Sequence, residues 1–108
     1  MSAKEENSLE SVVTEFVGRI FPLREITTKK MFGGYGVFEE GTMFALITAA
    51  GGVHLKVDDS NRPRFEEAGA GKHGRMPYYQ IPKQIFDDDT QLLAWTQEAI
   101  AVSKAAKK

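Results

Sequence analysis

Lys29 and Lys30, with Arg19 and Arg24 close by and Phe32 and Tyr35 just after, form the densest basic stretch in the interior of this 108-residue chain. Basic side chains beside aromatic ones suit nucleic acid, because the cations contact phosphates while rings stack on unpaired bases. The same residues also suit a solvated surface laid over core aromatics. Met76, Tyr78 and Tyr79 form a second aromatic cluster, which reads as sheet packing. Gly69-Ala-Gly-Lys-His-Gly74 has the G-x-G-x-x-G spacing of a dinucleotide-binding turn. That turn needs a strand entering and a helix leaving, so that the helix N-terminus faces the pyrophosphate. Here a helix enters and a proline-bounded strand leaves, and a loop is the better reading.

Other chemistry finds little support. His54 and His73 are the only histidines, neither stands at metal-ligand spacing from a carboxylate, and the chain has no cysteine. Two histidines alone make a poor zinc set. Asp87, Asp88 and Asp89 lack the alternating oxygen ligands and the later bidentate carboxylate of a calcium loop, so helix capping is their expected role. The serines occupy no nucleophile elbow and have no evident base. The residues offer no catalytic constellation, no cofactor site and no metal site.

The totals bound the rest. A formal net charge of −1 gives no whole-chain attraction to DNA, although a local patch can still act. The lack of cysteine excludes a disulfide framework and fits a reducing compartment. The first residues, MSAKEENSLESVV, are too acidic and too short of apolar side chains for a secretory signal, and no run reaches the roughly 18–20 apolar residues that span a bilayer. A cytoplasmic protein of one domain over residues 1–108 is expected, with 1–7 and 104–108 loose.

The elements that must position these residues follow from periodicity. Leu9, Val12, Val13, Phe16, Val17 and Ile20 recur at helical spacing, with Asn7 or Ser8 as cap and Pro22 as stop. Leu23–Thr28 reads as a connector. Met31–Phe38 and Thr42–Ile47 flank Glu39-Glu40-Gly41 and read as a β-hairpin. Gly33, Gly34 and Gly36 interrupt its first strand, which suggests a bulge or close backbone approach. Val53, Leu55 and Val57 alternate with polar residues as a third strand, and a short helix with Pro63 in its first turn ends near Gly69. Met76–Ile81, flanked by prolines, suits an edge strand. A closing helix over Thr90–Ala105 turns Leu92, Trp95, Ala99 and Val102 inward. The expectation is a two-layer α+β fold: an antiparallel sheet of four to five strands with helices on one face, in the order α-β-β-β-α-β(β)-α.

The hairpin carries more apolar side chains than such a fold needs. Phe32 and Phe38 would share one face of its first strand and Met31, Tyr35 and Val37 the other. In its second strand Phe44 and Leu46 would oppose Met43, Ala45 and Ile47. Two apolar faces mean either that chain covers both or that the open face meets a partner, a homodimer being the expected form.

Lys30-Met-Phe-Gly-Gly-Tyr-Gly-Val-Phe, Gly41-Thr-Met-Phe-Ala-Leu-Ile, Leu55-Lys-Val-Asp and Pro77-Tyr-Tyr-Gln-Ile-Pro82, with Leu92, Leu93 and Trp95 in the closing helix, resemble the N-terminal domain of TfoX/Sxy, the bacterial competence regulators. The resemblance covers nearly the whole chain and is to their first domain; their second, helical domain has no counterpart in residues 1–108. The loop Gly69–Arg75 is shorter than the family pattern and lacks an aromatic residue before Tyr78-Tyr79. The resemblance implies an α+β domain with a role in transcription, and it brings no catalytic residues with it.

A non-enzymatic regulatory domain is therefore expected, with DNA or a transcription-related protein as partner. Lys29 and Lys30 would contact phosphate or an acidic partner, Gly33, Gly34 and Gly36 would shape the strand, and Tyr35 would offer an exposed ring. The alternative is a protein-interaction or dimerisation module without DNA contact. An enzyme would instead show a pocket with convergent polar groups.

Overall fold

In the computed structural model the described residues are 2–20, 23, 25–31, 33–72 and 76–106, with side chains described from Leu9 to Ala105 within that set. Along the chain run α1 (Ser2–Arg19), β1 (Ile26–Met31), β2 (Gly34–Glu39), β3 (Thr42–Ile47), β4 (Val53–Lys56), α2 (Arg62–Glu67), β5 (Tyr78–Gln80), α3 (Lys83–Phe86) and α4 (Asp89–Ala106). The strands form one antiparallel sheet in the order β1-β2-β3-β4-β5. This is the expected α+β arrangement.

The sheet reaches five strands because the segment read as a connector is, from Ile26 onward, strand β1. Ile26, Thr27 and Thr28 are β-branched and favour extended backbone, but four of the six β1 residues are exposed. A strand at the sheet edge, solvated on both sides, shows no apolar alternation, so periodicity alone misses it. The run Met31–Phe38 is correspondingly not one strand. β1 ends at Met31, Gly33 turns the chain at φ 76°, and β2 starts at Gly34 with Met31 paired to it. The next turn, Glu40-Gly41, has φ of 50° and 83°, both left-handed as a two-residue hairpin of the primed type requires. The Glu40 N–H also donates to the Glu25 carbonyl at 3.1 Å. At the N-terminus α1 extends back to Ser2, so Asn7 and Ser8 lie inside the helix and not at its start. Pro63 lies in the first turn of α2 as expected, and Pro82 leads into α3, a short helix that the periodicity does not show.

Side chains alternate across a strand, so the register settles which residues share a face. Val37, Ala45, Leu55 and Tyr79 stand in one cross-strand row, and Tyr35, Ile47 and Val53 in the next. Both rows join the main core with Val13, Phe16 and Ile20 of α1 and its following turn, Phe65 of α2, Ile85 of α3 and Leu92, Trp95 and Ala99 of α4. α4 lies across β3 and β4. Phe65 sits between the Trp95 ring, 4.8 Å away and edge-on, and the Tyr79 ring at 5.9 Å, so one aromatic side chain ties α2, α4 and β5 together.

A bulge decides the far side. Val37 pairs with Ala45, yet Phe38 pairs with Met43, which leaves Phe44 as the extra residue of β3. Phe44 turns into the core, 6.5 Å from the Phe16 ring, and Met43 is delivered to the opposite face beside Phe38. The sequence-based grouping of Met43 with Ala45 and Ile47, and of Met31 with Tyr35 and Val37, is therefore corrected. The bulge re-phases β3, and the turn at residue 33 re-phases β1 against β2.

Two local devices hold this frame. Asn61, 1% exposed, accepts a hydrogen bond from the Asp58 N–H at 2.8 Å and donates from Nδ2 to the Lys56 carbonyl at 3.1 Å, joining the end of β4 to the start of α2. Asp88 caps α4 by accepting from the Thr90 and Gln91 N–H groups, each at 3.1 Å. The capping bond from Gln91 is also the main reason the Asp88 carboxyl is held below its ordinary range.

Two outcomes are expected from urea unfolding. Asn61→Ala removes two part-buried hydrogen bonds, with the Asp58 N–H and the Lys56 carbonyl, and should lower stability by about 1–2 kcal/mol; an unchanged midpoint would show that these bonds contribute nothing. A methyl group at position 34 would collide with the Ile47 carbonyl oxygen of the neighbouring strand, whereas one at position 36 meets only the flexible ends of Met31 and Met43 at 3.0–3.1 Å. Gly34→Ala should therefore cost about 3 kcal/mol and Gly36→Ala about 1 kcal/mol or less. Equal losses would mean that the β2–β3 approach is not the constraint.

Candidate functional site

The helices occupy one side of the sheet, and the strand residues facing the other way compose the candidate site. Across the five strands these are Thr27, Lys29 and Met31; Gly34, Gly36 and Phe38; Met43 and Leu46; His54 and Lys56; and Tyr78 and Gln80. Leu46, 2% exposed, and Tyr78, 4% exposed, are buried but lie outside the main core cluster. Leu46 stands next to Gly36 in the register. Over the Gly36 backbone lie the Sδ atoms of Met31 and Met43, with the Met31 Cε beside them. Met31, Phe38 and Met43 are themselves half-buried. The face thus has a small apolar centre with an adaptable thioether surface.

Its charges are of one sign. Lys29 is exposed at the β1 end, and Lys56 holds its ammonium 5.4 Å from the Tyr78 ring centroid toward the other end. No strand position on this face carries a carboxylate. His54 is buried, with Nδ1 3.0 Å from the Gly52 carbonyl oxygen. Burial raises the Tyr78 phenol above its ordinary range, so this hydroxyl stays neutral.

Set against this geometry, the sequence-predicted site residues separate. Lys29 belongs to the open face. Lys30 is exposed but projects to the helix-bearing side, because neighbours in a strand point opposite ways. The two lysines therefore do not make one basic patch. Tyr35 pairs with Lys30 and Ile47 on the core side and packs against the main cluster, so it is not an exposed ring of the open face. The three glycines do shape the strand, but the room they leave is filled from within. Gly33 makes the turn, Gly34 admits the Ile47 carbonyl and Gly36 lies under the two methionines. Phe32, Arg24, Gly74 and His73 fall outside the described residues. Met43 and Lys56 were missed as site residues; the first depends on the bulge, which leaves no local sequence signal, and the second is a single lysine in an alternating strand.

The remaining chemical candidates have structural partners. Lys83 pairs with Asp87 at 2.9 Å, Arg19 with Asp89 at 2.8 Å, and Asp88 caps α4. In the glycine-rich segment, the Gly71 carbonyl accepts from the Gln80 N–H and Lys72 bridges to Tyr79, so its described part lines the outer edge of β5, across a shallow concavity from the start of the four-residue helix α3. Among the described residues no group of histidine, aspartate and glutamate side chains could hold a metal ion. Among the described residues no helix is long and apolar enough to cross a membrane.

A concavity of about 380 Å³ lies apart from the apolar centre of the open face, where α1, the start of β4, the end of β5 and α3 meet. Val12, Val53, Ile81 and Phe86 line it, with Glu15, Lys83 and Asp87 at its polar parts. The hydrogen bond from Lys83 to Asp87 raises the Lys83 ammonium above its ordinary range and holds it charged, the opposite of what a nucleophilic lysine needs. Beside the cleft, the Arg19 guanidinium lies 4.8 Å from the Phe86 ring centroid and is bonded to Asp89, so α1 is fastened to α3 and α4 there.

No curated protein matches the chain closely enough to count as a relative. The sequence model of the TfoX N-terminal domain matches residues 19–103, from the end of α1 through nearly all of α4. That span takes in the whole sheet, the bulge, the methionine-bearing face, α2, α3 and nearly all of α4, and the chain belongs to the TfoX N-terminal domain family.

Proposed function

We propose that this protein is a non-catalytic regulatory domain that acts in transcription, in the cytoplasm, by docking another macromolecule on the uncovered face of its sheet. The observation that supports this reading is the uneven treatment of the two faces. Helices α1 to α4 and the turn after α1 bury side chains against one, while the other carries Met31, Phe38, Met43 and Leu46 with lysines at its margins. An antiparallel sheet with one solvated face ordinarily turns polar residues outward. An apolar centre rimmed by polar groups is what a docking surface needs.

Direct DNA contact through Lys29 and Lys30 together is the less favoured form, because they project to opposite sides of the sheet. A homodimer through the open face is the second reading, favoured by the apolar centre. Pairing of two β1 edges is not favoured, since lysines on an exposed edge strand oppose strand-to-strand association.

The reading is tested in the source organism by transcript profiling. The variant Met31→Ser with Met43→Ser loses partly buried surface worth about 1–2 kcal/mol and should remain folded. Placed at the native locus, it should reproduce the transcript changes of a deletion at unchanged protein level. A deletion that alters no transcripts, or a variant indistinguishable from wild type, would remove the proposal.

A further inference from the structure

Resting on the reading that the open face docks a macromolecule, we infer that its occupant is an acidic amphipathic segment of another protein, with apolar side chains on one side and aspartate or glutamate flanking them. The first observation is charge. The chain as a whole carries a formal charge of −1, yet the strand positions of this face include Lys29 and Lys56 and no carboxylate. No ion pair joins either lysine to a described carboxylate. Carboxylates brought by a partner would supply the missing sign, and such complementarity selects partner and orientation more than it adds raw affinity.

The second observation is width. Lys29 on β1 and Lys56 on β4 are separated by three strand spacings, about 14–15 Å. Between those strands stand Phe38 on β2 and Met43 and Leu46 on β3, and the Met31 thioether reaches from β1 over Gly36. An α-helix with its side chains is about 10–12 Å across and fits that strip, with its apolar positions on the thioethers and its flanking acids toward the two ammonium groups. Methionine suits such a seat because its unbranched side chain re-packs around an incoming one.

The third observation disfavours the other occupants. Bases need accessible rings to stack on. Tyr78 is 4% exposed with the Lys56 ammonium near its ring, and Phe38 is half-buried. A second copy docked face to face would set two faces of the same sign against each other.

The test is a titration of the full-length ¹⁵N-labelled protein, followed by amide NMR shifts at about 50 mM salt, where surface charge is only partly screened. Three probes are used: a helical peptide of about 18 residues with leucine at i, i+3, i+4 and i+7 and glutamate elsewhere, the same peptide with lysine for glutamate, and a single-stranded oligothymidylate. The glutamate peptide is expected to shift the amides of Lys29, Gly36, Phe38, Met43 and Leu46. Lys29→Glu with Lys56→Glu should weaken it about tenfold and transfer preference to the lysine peptide. Lys30→Glu, one residue away but on the other side of the sheet, should change its affinity less than about twofold. Well-dispersed spectra and unchanged melting of both variants show that they fold.

Equal loss with Lys30→Glu, shifts that map elsewhere, or wild-type preference for the lysine peptide would overturn the inference. If the oligonucleotide shifts this face instead, or the face shifts with protein concentration alone, the acidic-segment assignment falls while the docking face stands. If nothing shifts it, both fall.

Discussion

The rest of the structure depends on burying one cross-strand row, Val37, Ala45, Leu55 and Tyr79, under the helices. A strand has a side-chain period of two, so choosing the inner side for one residue chooses it for the whole strand, and hydrogen-bonded register carries the choice to the next. Phe65, wedged between Trp95 and Tyr79, and Phe16 against Phe44 supply the aromatic contacts that hold the helical layer to this side. Everything proposed about the protein concerns what the same choice leaves on the other side.

That other side is not simply the solvated back of a sheet. Leu46 is as inaccessible as a core residue, although it belongs to no helix-covered cluster. Its register partner on β2 is Gly36, and two thioethers gather over that glycine. Without a Cβ at position 36, the Met31 and Met43 sulfurs come down over the backbone. The bulge at Phe44 serves the same end, since without its extra residue Met43 would fall on the helix side. The glycine run of β2, which in the sequence suggests an approaching partner backbone, is thus used inside the chain, by the Ile47 carbonyl at Gly34 and by thioethers at Gly36.

The ends of the sheet are secured by ion pairs of modest individual value. Lys104 near the end of α4 reaches Glu39 at 2.8 Å and Glu40 at 3.1 Å, bringing the last helical turn to the β2–β3 hairpin. These carboxylates, Glu39 first, raise the Lys104 ammonium above its ordinary range. Arg19 makes the corresponding link at the other end, from α1 to Asp89. Acidic and basic residues are in this way paired along much of the helical layer, whereas both lysines of the open face stand without carboxylate neighbours on their own strands.

By itself the sequence determined the class of fold, most of the elements and the family. These rest on local signals: helical spacing in α1 and α4, alternation in β4, glycine at the turns and proline at the edges, and residue runs specific enough to carry the resemblance. It also determined that the face behind the hairpin would be unusually apolar. What it did not determine was which residues make that face. β1 was hidden because an edge strand exposed on both sides has no alternation to read. Lys29 and Lys30 part because they are neighbours in that hidden strand, and Tyr35, opposite Lys30, goes to the helix side with it; a turn at Gly33 and a bulge at Phe44 then change which side of the sheet Met31 and Met43 meet. Both are decided by tertiary register, through the fit of Gly34 to Ile47 and of Phe44 into the core, and no short-range pattern records them.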